Sequence, residues 1–448
     1  MTFGTFASIG TAGLVLSLAL AEPAAPQGQP SSELQAFWSQ ADLERASLEI
    51  QGQIEGLRGE RFKAPVAVRV SSREDLIEYI RVRTEKSTEK SRLDADEQVA
   101  KLLGVLPPEL DLAAVQIEFL AAQVAGFYDP DTDSFALMDS CPRDLARIVM
   151  AHELAHALDD QLYDIDGTLE KLGSDTDRVQ AFQAVVEGSG TSVMNRWMVQ
   201  NAKLLDPQAL LESQSLQLES LATAPAWLWR PTFAAYMQGN AFLNRTENWM
   251  SAQLEIVDNA DIAAAFEKPP RSTEQVLHPE RYWNAAKLDE PVRVAYVVGE
   301  LPTGWKVGCE DTLGELALSI VASPDEDRGG LSMEGGQTAI LGMKFTHDVA
   351  RGWGGDRAIL LRGEGAASVL RWVTSWDSER DAAEFYGAMS MRVPALIASA
   401  RELSGGDAAL GHAAVEYGDD ALQVEIVVRA GVKAAEARRV LRAVGLAK

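Results

Sequence analysis

Hydrophobic positions along this chain repeat with a helical period over most of the first three hundred residues and then change character. Residues 33–61 carry a helical pattern of mixed charge, residues 64–70 (APVAVRV) alternate like a strand, and Ser72-Arg73-Glu74-Asp75 opens a further helix with capping residues at its start. The charge-rich stretch 85–96 reads as a solvated helix or loop. Residues 123–129 and 134–139 flank a Pro-Asp-Thr-Asp turn and predict a hairpin. Pro142 stands at a helix start, and Leu145, Val149, His152, Ala155, His156 and Asp159 then recur at spacings of three and four, which places them on one helical face. A second helix begins near Asp177 and keeps its period through Val179, Phe182, Val186, Val193 and Trp197. Residues 204–266 are helical and aromatic, and Trp227, Trp229 and Tyr236 read as core rather than cleft wall.

Beyond residue 300 short apolar or alternating runs at 358–361, 368–375 and 423–428 predict strands, and 377–389 and 434–444 predict helices. The expected fold class is therefore α+β: a mostly helical region with a small sheet over residues 63–299, followed by a smaller α+β domain over 300–448.

Composition changes the picture in its choice of partners. With 448 residues and 46% hydrophobic content the chain is globular, and 41 basic against 66 acidic residues give a net charge of −25. That balance argues against nucleic acid and an anionic membrane surface as partners, because both demand a basic face. Residues 1–21 are uncharged and rise into Leu14-Val15-Leu16-Ser17-Leu18-Ala19-Leu20-Ala21, which predicts a secretory signal cut before Glu22 and a periplasmic or extracellular location. Its n-region has no Lys or Arg. Residues 22–31 read as a linker, and with the helix at 33–61 they form an N-terminal segment over 22–62. No later apolar run reaches membrane length, so no stable membrane insertion is expected after processing. Cys141 and Cys309 are the only cysteines; in an oxidising compartment they either pair or remain buried thiols.

The chemistry is carried by His152-Glu153-Leu154-Ala155-His156. Histidines at i and i+4 on a helix face the same way, so both imidazoles can reach one Zn2+ while Glu153 leans over an open coordination position as general base. A third protein ligand is needed, and Glu187 on the next helix is the leading candidate, with Gly188 and Gly190 implying a close approach of that helix to the histidine helix. Asp159 or Asp160 are alternatives for that place, and are better suited to bonding a ligating histidine from behind. His278, in a Pro-flanked loop, is a candidate donor to the oxyanion of a tetrahedral intermediate, with Tyr282 behind it. Asp129, Asp131 and Asp133 alternate like a calcium loop, but Ser134 and Ser140 stand where such a loop needs Gly and Glu. His347 and His412 are isolated and read as structural or exposed.

These residues resemble a known group. The HExxH run followed by Glu187-Gly188 is similar to the gluzincin branch of the zinc metallopeptidases, and HELAHALDDQ (His152 to Gln161) resembles the HELxHALxDQ run of bacterial envelope proteins of that type. Ala125-Gly126-Phe127-Tyr128-Asp129-Pro130, the segment from Ser272 to Pro279 and the segment from Gly352 to Arg357 fit the same group. The resemblance implies a zincin-like fold and a zinc peptidase acting on peptide or protein substrates through His152, His156 and Glu187 as ligands and Glu153 as base. Ser189 departs from the pattern, since the group often has an acidic residue there. The rival expectation is a non-hydrolytic zinc-binding envelope scaffold or binding protein that keeps the peptidase fold.

Overall fold

A computed structural model describes residues 38–87, 90–129, 132–206, 224–324, 343–418 and 420–447. The expected signal at 1–21 and linker at 22–31 lie outside the described residues, as do Pro130 and Asp131 of the hairpin turn.

Helix α1 (Gln40–Arg58) begins at Ser39, whose hydroxyl accepts from the Asp42 N–H, and stops at Gly59 in the left-handed region. Its buried Leu43, Ile50, Ile54 and Leu57 recur at helical spacing and pack on α5 (Arg143–Tyr163), the helix that carries the HExxH run. Strands β1 (Ala67–Ser71), β2 (Gly126–Asp129) and β3 (Ser134–Met138) form a sheet in the order β1-β3-β2. The predicted hairpin is present as the antiparallel pair β2 and β3, and β1 joins β3 in parallel. Every residue of β2 and β3 is buried, and β2, one of the two edge strands, lies against α5.

Helices α2 (Arg73–Ser87), α3 (Lys90–Leu102) and α4 (Leu112–Gln123) complete this layer. Of the charged stretch at 85–96, residues 88 and 89 lie outside the described residues, and its last part is the first turns of α3. Arg92 bridges Asp96 at 2.7 Å and Asp311 at 2.9 Å, so α3 is docked by ion pairs onto the later part of the chain. Next come α6 (Ile165–Leu172), α7 (Thr176–Gln200), α8 (Ala226–Leu243), α9 (Asn259–Glu267) and α10 (Thr273–Leu277). Helix α7 packs along both α5 and α8, which makes it the central helix of the molecule.

The C-terminal sheet is antiparallel, in the order β5-β6-β7-β9-β8, built from β5 (Lys306–Asp311), β6 (Trp353–Arg362), β7 (Ser368–Trp376), β8 (His412–Tyr417) and β9 (Gln423–Ala430). Alternation along β6 splits its side chains between two cores. Ala358 and Leu360 join the main core, where α12 (Glu379–Glu402) packs on β8 and β9. Ile359 and Leu361 face a smaller cluster with Trp305, Val440 of α13 (Ala434–Leu441) and Val444. The two-stranded ribbon of β4 (Tyr296–Val298) and β10 (Val444–Leu446) borders that cluster.

Element content is thus mixed: helices over most of the first 283 residues and an antiparallel sheet with helices after them. Packing, however, does not break at residue 300. Helix α11 (Gly314–Ala322), buried throughout, lies against α7, α8 and α10, and its Leu316 and Ile320 belong to the same core as Leu154 and Trp197. Among the described residues no helix is long and apolar enough to cross a membrane.

Candidate metal centre

Helix α5 starts at Arg143, with Pro142 as the residue before its first turn, and runs unbroken through the HExxH residues. The i, i+4 spacing sets the two imidazoles edge to face, their centroids 4.4 Å apart. Glu187, eleven residues into α7, reaches across from the neighbouring helix.

Three donor atoms converge. His152 Nε2 lies 2.8 Å from His156 Nε2 and 3.1 Å from Glu187 Oε2, and His156 Nε2 lies 3.3 Å from the same oxygen. A tetrahedral zinc site with metal–ligand bonds of about 2.0–2.1 Å separates its donors by roughly 3.3 Å. The observed triangle is close to one face of such a tetrahedron, and two histidines and one carboxylate are a donor set that zinc takes. Two buried imidazole nitrogens aimed at each other also need a cation or a shared proton between them. The donor atoms therefore fit the metal.

Electrostatics without a metal agree with that demand. Burial, reinforced by the neighbouring His156, pushes the His152 imidazole down. Burial opposes charge on His156 as well, but Glu187 outweighs it and raises the imidazole to about 9. The same pairing overcomes the burial of Glu187 and holds its carboxyl down to about 2. The site is an ionised carboxylate facing imidazoles that compete for a single positive charge.

Glu153 lies on the same turn, next to His152. Its Oε2 accepts the backbone N–H of Tyr128 at 2.8 Å, so outer strand β2 positions the carboxylate expected to act as base.

Glycine makes the approach of α7 possible. A Cβ on Gly190 would stand 2.7 Å from His156 Cε1 and 2.8 Å from His152 Cε1, so only a residue without a side chain lets the helix lie against both rings. Gly188 serves a different contact from the expected one: a Cβ there would meet the backbone of Gly239 on α8 at 2.4 Å, and Gly239 in turn meets Ala184. One glycine fits α7 to the histidines, and the other fits it to α8.

The expectation for Asp159 needs correction. It is fully buried, but it bonds no histidine: one oxygen pairs with Arg58 Nη2 at 2.5 Å and the other accepts from Ser189 Oγ at 2.5 Å. It joins the end of α1 to α5 and α7, and Ser189 is its partner two residues past Glu187. Asp160 is not at the third-ligand place either; its carboxylate accepts from the Ile165 N–H at 3.0 Å and lies 3.3 Å from the Tyr128 hydroxyl.

His278 is the second correction. Its Nδ1 lies 2.9 Å from Glu247 and its Nε2 3.0 Å from Glu315, so both ring nitrogens are already committed and neither can serve an oxyanion. Tyr282 is likewise engaged, its hydroxyl donating to the Lys268 carbonyl at 2.5 Å. Sequence reasoning missed Tyr236, whose ring stacks on His152 at 5.5 Å, because it was counted as core. Its apolar periodicity is indeed that of a core residue, and only the fold of α8 over α5 shows the contact.

A second group of carboxylates, Glu274, Asp289 and Asp377, comes together elsewhere, but Arg281 already fills it with a guanidinium nitrogen bonded to all three. Cys141 and Cys309 are both buried and unpaired, and burial pushes each thiol up to about 12.

Comparison with known proteins reaches only the C-terminal part of the chain. No curated protein and no solved structure matches it. Residues 305–440 match a family described as "Domain of unknown function (DUF8575)".

Proposed function

We propose that this chain is an exported zinc metallopeptidase of the gluzincin type, with a zincin-like fold around α5 and α7 and a peptide or protein as substrate. The observation that carries the reading is the convergence of His152, His156 and Glu187 within 3.3 Å, with Glu153 on the same helical turn held by a strand backbone. When bound, zinc supplies Lewis acidity, bringing a water proton within reach of a carboxylate at neutral pH and polarising a scissile carbonyl. The protein's own contribution is proton handling and orientation. Glu153 takes the proton from the attacking water and passes it to the leaving amine, and the bond from the Tyr128 N–H holds that carboxylate in place.

The reading is tested with Glu153→Gln, which is nearly isosteric. Zinc should stay bound while cleavage of a peptide library falls by orders of magnitude; unchanged turnover would sink the mechanism.

One observation favours the alternative of a zinc-binding scaffold without hydrolysis. His152, Glu153, His156 and Glu187 are only 2%, 0%, 5% and 1% exposed, and structural zinc sites are closed whereas catalytic ones keep a position for water. Peptide-library cleavage that is absent with and without chelator, from protein that holds zinc, would select this alternative.

A further inference from the structure

Tyr236 has the periodicity of a core residue, and it is buried in α8 at 1% exposure. The fold gives its ring a second place. Helix α8 crosses α7 in backbone contact at Gly239, where a Cβ would collide with the Ala184 carbonyl, and Tyr236 precedes Gly239 by three residues on the same side of α8. That crossing carries the Tyr236 ring over a face of His152, with centroids 5.5 Å apart and planes inclined by 22°, the geometry of an offset stack.

Three neighbours surround the His152 ring. His156 meets it edge to face at 88°, Gly190 lies against its Cε1 and Nδ1 edge, and Tyr236 covers a face. The torsion that sets an imidazole plane has a broad minimum, so covalent geometry alone does not aim Nε2. A ligating histidine is usually aimed by a group that bonds its other ring nitrogen, and among the described residues no side chain bonds His152 Nδ1. Packing is left to govern the plane, and of the three neighbours Tyr236 alone lies parallel to it. The stack also strengthens on binding, because an imidazole that shares its Nε2 lone pair with a cation is electron-poor and the face of a phenol ring is electron-rich.

We propose that Tyr236 is a positioning residue of the metal centre, its ring fixing the plane of the His152 imidazole so that Nε2 faces the donors of His156 and Glu187. It acts through its aromatic face and not through its hydroxyl. The inference rests on zinc binding at this centre and holds whether or not the centre hydrolyses peptides.

The test measures zinc affinity of the full-length protein by competition with a chromophoric chelator, and the visible absorption bands of the cobalt-loaded protein. Tyr236→Phe keeps the stack and should bind zinc within about twofold of the wild type. Tyr236→Leu should bind roughly three- to tenfold more weakly, with shifted cobalt bands. Phe233→Leu, which removes another buried aromatic of α8, should leave both readouts unchanged and so separates positioning from general loss of core packing. Should Tyr236→Leu fail to fold by circular dichroism, Tyr236→Met fills the same space without an aromatic face and takes its place. Equal affinity and unchanged cobalt bands in the variant without the ring would overturn the proposal, as would a loss in Tyr236→Phe or Phe233→Leu as large as that in Tyr236→Leu. Wild-type protein that takes up no zinc would overturn the zinc reading and this inference together.

Discussion

At the scale of single residues, the site is governed by which side chains are absent as much as by which are present. Gly190 lies where any Cβ would enter the space of both imidazoles, whereas Gly188 faces the backbone of α8. Alanine at the two positions should therefore have different consequences. Gly190→Ala is expected to lower zinc affinity by at least tenfold, because the rings must turn away from the Glu187 oxygen. Gly188→Ala is expected to reduce stability by about 1–3 kcal/mol by forcing α7 and α8 apart. Zinc titration and urea unfolding of the two variants separate these effects, and equal zinc affinity in Gly190→Ala and wild type would refute the packing argument. Asp159 offers a second contrast. Asp159→Asn keeps a partner for Ser189 but leaves the Arg58 guanidinium, 1% exposed, without its counter-charge, and breaking a buried pair from one side costs about 3–5 kcal/mol. A loss under about 1 kcal/mol on urea unfolding would show that water reaches Arg58.

At the scale of elements, what the sequence made legible was local. The hairpin of β2 and β3, helix α5 and helix α7 follow from spacing alone, because their apolar periods are uninterrupted and their ends carry turn or capping residues. The converging trio of His152, His156 and Glu187 is legible for the same reason: two sit one turn apart, and the third lies on the next strongly periodic helix. The long-range partners were not. Glu247 and Glu315 lie 31 and 37 residues from His278 and reach it only through the tertiary fold, so an isolated histidine in a Pro-flanked loop looked available when it is not. Strands β4, β5, β8 and β10 escaped notice because they are short or half-exposed and lack strong alternation. Helix α12 runs past the expected end at Met389, through Pro394, to Glu402, anchored by the buried Arg392, whose guanidinium donates to the Val321 and Leu103 carbonyls.

The His278 clamp also has a pH signature. Burial pushes the imidazole down, but the bonds to Glu315 and Glu247 outweigh it, so the folded pKa is raised above the unfolded value of about 6.5. A raised folded pKa contributes stability that is complete below the unfolded value and is lost as pH rises through the folded one. Wild-type stability should therefore decline above about pH 6.5 by an amount that His278→Gln, which cannot carry the charge, does not show. Urea unfolding from pH 5.5 to 9 checks this, and parallel profiles for the two proteins would contradict it.

At the scale of the whole molecule, buried carboxylates cap helix starts, and one of them, Asp311, ties the two regions together. Asp311 of β5 accepts from the Thr176 N–H at 2.9 Å at the start of α7, Asp177 of α7 caps α10, and Asp356 of β6 caps α11. With α11 seated in the main core, residues 1–299 lack part of that core. A chain ending at residue 299 is expected to be insoluble or unfolded, and the full chain should unfold in a single transition; a soluble, zinc-binding 1–299 fragment would show two independent domains instead.

The central claim, that His152, His156 and Glu187 together hold zinc, is tested most directly by metal analysis of purified protein. The account predicts one zinc per wild-type chain and little or none in His156→Ala and Glu187→Ala, each checked for folding by circular dichroism. Wild-type protein purified without metal that also fails to take up added zinc, or full zinc occupancy in Glu187→Ala, would contradict it.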